Sequence, residues 1–153
     1  MGQQQLLLIV LSVIIVGIAV VVGLTMFQTS AVDANRNAVI GDLTNLAAKA
    51  QQYYKKPTSL GGGGQNFNGF ALSSTATGVS ETQNDNGWYR ISTTTQTTTV
   101  ASSATIPAYA AISSSATTIY ITGYGKEFGN DNTKLVQAYA TVTGTTITTT
   151  IVN

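Results

Sequence analysis

The first long feature of the chain is an unbroken apolar run from Leu6 to Phe27, LLLIVLSVIIVGIAVVVGLTMF, with neither charge nor proline. At about 1.5 Å of rise per residue such a helix is roughly 33 Å long, enough to cross the ~30 Å hydrocarbon core of a bilayer. Its two hydroxyl side chains, Ser12 and Thr25, are expected to bond back to a carbonyl one turn earlier, leaving no unpaired polar group in a dry environment. Beyond Phe27 the pattern changes without a strong breaker. Val32, Val39, Leu43, Leu46, Ala47, Ala50 and Tyr54 recur at helical spacing, and Asp33, Arg36, Asn37, Asp42, Asn45, Lys49 and Gln52 fall mostly between them. The pattern predicts one helix of about fifty residues, roughly 80 Å long, apolar all round in its first half and amphipathic in its second. Lys55 and Lys56 suit its negative end, and Pro57 stops it.

After Pro57 the stretch TSLGGGGQNFNG reads as a loop, either flexible or closely packed. It lacks the GxxxxGK[ST] pattern and any lysine within its glycines, so it does not read as a phosphate cradle. From Phe67 onward the chain turns to short, threonine-rich, β-branched runs. Strands are expected over 67–72, 88–94, 98–101, 106–112, 117–122, 134–143 and 145–152. Val136, Ala138, Ala140 and Val142 share one face of their strand, and Ile147 and Ile151 share a face of the next. Val142-Thr143-Gly144-Thr145 supplies a tight turn between those two strands, and residues 128–132 a longer one before them. Such short connections imply an antiparallel meander with one face against the helical stripe and the other wet. The expected fold is therefore α+β, a long N-terminal helix on a C-terminal antiparallel sheet. It divides into an apolar helix at 1–30, its amphipathic continuation at 31–57 and a Ser/Thr-rich β domain at 58–153.

Composition removes most chemistry. Charged residues make up 8%, the formal net charge is +1, and the seven Lys and Arg are scattered, too little field for nucleic acid. With no Cys and no His, disulfides, thiol nucleophiles, imidazole bases and His/Cys zinc sites are excluded. Glu81 with Asp85, and Glu127 with Asp131, sit in oxygen-rich loops, but Asn-Asp-Asn is commoner as turn chemistry than as a calcium ligand set. Trp88, Tyr89, Tyr109, Tyr120, Tyr124 and Tyr139 are read as core and interface side chains ahead of a sugar-binding or electron-transfer surface. No catalytic, cofactor-binding or metal-binding residue is expected, and the chain does not read as an enzyme.

The segment before the apolar run, MGQQQ, carries no Lys or Arg, and no A-x-A type cleavage site follows the run. The positive charge is then either the Met1 amine itself or lay on a leader already removed, and the second is the expectation. Five short residues, an apolar helix, an uninterrupted amphipathic continuation and then an antiparallel sheet together resemble the type IV pilin family. The resemblance implies cleavage by a prepilin peptidase, N-methylation of Met1, a pool in the inner membrane, and delivery by pilus assembly machinery into a helical homo-oligomer on the cell surface. It implies that Leu6, Leu7, Leu8, Ile9, Val10, Leu11, Val13, Ile14, Ile15, Val16, Ile18, Val20, Val21, Leu24 and Phe27 pack in the filament core. Gln5 stands where the family usually has a glutamate and offers a neutral N-terminal polar contact instead. The family's frequent C-terminal disulfide is missing. So is its helix proline, which leaves Gly17 and Gly23 as the places where an assembled helix would loosen. The competing readings are a pseudopilin of a type II secretion system and a membrane-anchored monomeric binding ectodomain.

Overall fold

The structure is a computed structural model that describes residues 2–72, 82–95, 97–101, 111–129 and 131–153. One helix, α1 (Gly2–Lys55), runs from the start of the described chain to the edge of Pro57. A single 3₁₀ turn at Thr58–Leu60 follows, then four strands: β1 (Gly87–Ser92), β2 (Thr118–Phe128), β3 (Leu135–Thr143) and β4 (Ile147–Ile151). They form one antiparallel sheet in the order β1-β2-β3-β4. The fold is the α+β arrangement expected, with the second half of α1 laid along the sheet and the first half projecting from it.

The core is the seam between helix and sheet. Val39, Leu43, Ala47 and Ala50 of α1 are fully buried against Ile119 and Ile121 of β2 and Ala138, Ala140 and Val142 of β3. Leu46 and Tyr54 pack at its margin, as does Ile147, whereas Ile151 on the edge strand stays 51% exposed. Each fully buried Val, Leu or Ile side chain contributes about 1.5–3 kcal/mol, and the alanines let helix and sheet approach closely, so this seam fixes the sheet to the helix.

The strand expected at 117–122 continues to Phe128 because Gly123 and Gly125 are sheet residues. They sit where the helix comes close to the sheet backbone. A Cβ on Gly123 would lie 2.7 Å from Val39 Cγ1, and one on Gly125 2.0 Å from Asn35 Oδ1. Between Tyr124 and Phe128 the pairing with β3 shifts register, a bulge that bends the end of β2.

Two expected strands are not strands. Residues 67–72 form a turn in which Phe70 N–H returns to Phe67 O (3.0 Å) and Gly69 adopts φ +81°. Phe67, Phe70 and Leu72 are buried there all the same, so apolar content was read as a strand where a turn supplies the core. Residues 98–101 lie beside β3 through Leu135 N–H to Val100 O (2.9 Å) without joining the sheet. Of the strand expected at 106–112, residues 106–110 lie outside the described residues, and 111 and 112 belong to no strand. The sheet's far face is also drier than expected: Thr122, Tyr124 and Gln137, which alternate with helix-facing positions, are 0–1% exposed.

The glycine loop is closely packed, and it closes the helix. Gly63 N–H donates to Tyr53 O (2.9 Å), Gly64 N–H to Lys56 O (3.0 Å) and Gln65 N–H to Tyr54 O (2.9 Å). Carbonyls that a helix end leaves unsatisfied thereby gain donors. A side chain has no room at this approach, since a Cβ on Gly63 would fall 1.8 Å from Asn66 O.

Candidate assembly surface

The projecting half of α1 makes no core of its own. Its most apolar 18-residue window has a mean hydropathy of 3.3, and none of it is buried within the chain. The helix is long and apolar enough to cross a membrane. The fifteen side chains assigned by sequence to a filament core, from Leu6 to Phe27, are each between 48% and 78% exposed. Val22 and Met26, absent from that set, are exposed to the same degree and belong with it. The missing signal was already present in the sequence, because an all-round apolar helix offers no basis for leaving any large side chain out.

Polar groups on this rod are dealt with locally. Ser12 Oγ donates to Ile9 O and Thr25 Oγ1 to Val22 O, both at 2.8 Å, as expected for helices in dry surroundings. Gln5 is exposed on the first turns, and Met1 lies outside the described residues. The helix runs unbroken through Gly17 and Gly23, and at both a Cβ would meet nothing within 4 Å. The first charges after the rod are Asp33 and Arg36, which pair at 2.8 Å.

Where the helix meets the sheet, three of its polar side chains act as pegs. Asn35 Nδ2 donates to Asn86 O (2.9 Å), and Gln51 Nε2 donates to Thr143 O (3.0 Å). Between them Asp42 Oδ2 accepts from Tyr89 Oη (2.6 Å), Asn84 Nδ2 (2.8 Å) and Asn86 Nδ2 (2.8 Å). Burial works to raise the Asp42 pKa, but the hydrogen bonds from Tyr89, Asn86 and Asn84 outweigh it and hold the carboxyl below its ordinary value. Burial first, and then the bond to Asp42, push the Tyr89 hydroxyl well above its ordinary value. On the sheet's far face burial also raises Tyr124, against the opposing hydrogen bond and charge of Arg90.

The carboxylate loops behave as turn chemistry. Asp131 is exposed and accepts from the backbone of Thr133 (3.1 Å) and Lys134 (2.9 Å), which lowers its pKa to about 2 against a slight opposing desolvation. Asp85 is exposed between Asn84 and Asn86, and Glu81 lies outside the described residues. Among the described residues no three His, Cys, Asp or Glu side chains gather as a metal site would require. No family model, no curated protein and no solved structure matches the chain.

Proposed function

We propose that this chain is the structural subunit of an extracellular type IV pilus-like filament, polymerising through the apolar half of α1 and held in the inner membrane before assembly. The observation that carries the reading is a rod of about 22 residues, apolar on every face, rigidly continuous with a folded β domain that covers none of it. A rod in that condition needs lipid or copies of itself around it. Parallel packing of identical rods by a repeated screw operation buries it without closing a ring, which yields a fibre.

The energetics favour such an exchange only with help. Side chains leaving lipid gain little hydrophobic energy, so close packing, polar contacts near Gln5 and an assembly motor must supply the difference. Gly17 and Gly23 allow neighbouring backbones to approach closely and are the places where the rod would loosen on packing. The threonine-rich sheet then forms a hydrated outer wall.

Electron microscopy of cells producing the full chain, with mass spectrometry of the isolated filament subunit, tests the reading. Filaments built from this chain, carrying a methylated Met1 amine and lost in the Gly17→Trp variant, are expected. Detergent-bound monomers on cells without filaments would favour the anchored ectodomain. Short periplasmic assemblies, dependent on a secretion machine, would favour the pseudopilin.

A further inference from the structure

Charge is distributed unevenly along the molecule. The last turns of α1 carry Lys49 and Lys55, Lys56 follows directly, and no carboxylate among the described residues lies at that distal end. The carboxylates sit lower. Asp33 is on the helix, and Asp85 lies in the loop pegged to Asn35 and Asp42. Glu127 donates its N–H to Asn35 Oδ1 (3.4 Å), and Asp131 shapes the β2–β3 turn at the same end of the sheet. This proximal rim also bears Arg36, already paired with Asp33, together with Lys126 and Lys134. Among the described residues, one end is thus purely basic, and the other is mixed and contains every exposed carboxylate.

Resting on the filament reading, we infer that copies meet head to tail, the lysine pole of one β domain against the carboxylate-bearing rim of the next. The helix length sets the axial step. Asp33 and Lys55 are about 22 residues apart on one helix, so a neighbour displaced by roughly 33 Å brings its Asp33 level with Lys55. Pole-to-pole contact would set lysines against lysines, so the arrangement also selects polarity. Lys55 borders an open groove of about 540 Å³, formed with Tyr54, Gln65 and Gly144, which gives the neighbour's rim a seat.

The test is filament length on cells producing the full chain, measured after washing in about 0.1 M and about 1 M NaCl, where charges are screened beyond ~10 Å and ~3 Å respectively. Unmodified filaments are expected to shorten severalfold at high salt. Lys55→Glu/Lys56→Glu filaments should be severalfold shorter already at low salt, and adding Asp85→Lys/Glu127→Lys should restore them. Wild-type length in the lysine variant, or no restoration by the swap, overturns the head-to-tail contact and leaves the filament reading standing. A helical reconstruction of unmodified filaments decides independently of any variant's folding. Lys55 or Lys56 Nζ within about 10 Å of a neighbour's carboxylate supports the contact, and a greater separation overturns it. Absence of filaments from the unmodified chain overturns the filament reading itself.

Discussion

Tyr89 Oη lies 2.6 Å from Asp42 Oδ2, joining β1 to the sheet-packed half of α1 across the seam between helix and sheet. Two amides reach the same oxygen, so the carboxylate gathers a strand, a loop and the helix at one atom. Tyr89→Phe removes a hydrogen bond to a charged group and is expected to cost about 1.5 kcal/mol, read from chemical denaturation of the detergent-solubilised chain. Asp42→Ala should cost more, because it strips three donors of their acceptor.

The same pair contributes to the pH limits of the fold, beside Asp131 on the acid side and Tyr124 on the alkaline side. Asp42 has a lowered pKa in the folded chain, so its contribution is present above the unfolded value of 3.8 and is lost as pH falls through the folded value. Tyr89 is raised, so its contribution is present below 10.0 and is lost as pH climbs beyond it. Thermal melts across pH should therefore decline at both extremes. Asp42→Asn should flatten the acid limb that Asp42 itself contributes.

Gly63 and Gly61 differ in a way that melting curves can separate. A Cβ at Gly63 would strike Asn66 O at 1.8 Å, whereas Gly61 at φ +76° has nothing within 4 Å. Gly63→Ala is expected to cost about 2–3 kcal/mol through displaced backbone. Gly61→Ala should cost about 1–2 kcal/mol, the penalty of the left-handed conformation alone.

Gly123→Ala should destabilise by about 1–3 kcal/mol, because the new methyl meets Val39 Cγ1 at 2.7 Å and Tyr89 Cε1 at 3.1 Å. Combining it with Val39→Ala should recover part of that loss. A double-mutant cycle with no coupling would show that the helix does not rest on this glycine.

Leu43 and Leu11 separate folding from assembly. Leu43→Ala, fully buried in the seam, is expected to cost about 2–5 kcal/mol in the melt of the single subunit. Leu11→Ala, 48% exposed on the rod, should leave that melt within about 0.5 kcal/mol of wild type and reduce filament yield.

Periodicity made α1 legible from end to end, including its stop at Pro57, and alternation made β3 and β4 legible. It failed where backbone geometry, not side-chain pattern, decides. The strand expected at 117–122 stops short of Gly123 and Gly125, which are strand residues thinned for the helix, while Phe67 and Phe70 looked like a strand and are two sides of a turn. Asp42 was passed over because helical spacing assigns it a place between apolar positions, and only tertiary contact reveals Tyr89, Asn84 and Asn86 around it. The exposed rod was legible in the hydropathy pattern, since only the second half of α1 has the apolar stripe and polar flank that fit one helix face to a sheet.

A rod and a β domain that share one unbroken helix have no swivel between them. Each residue of an α-helix turns the chain by about 100° and lifts it about 1.5 Å, so the compass bearing of the sheet is inherited from the rod. Adding a single residue near Ser30 would therefore spin every threonine-covered face by more than a quarter turn while leaving each rod where it was. The outer wall of such a polymer would be remodelled wholesale by a change that touches neither its interior nor the folded unit.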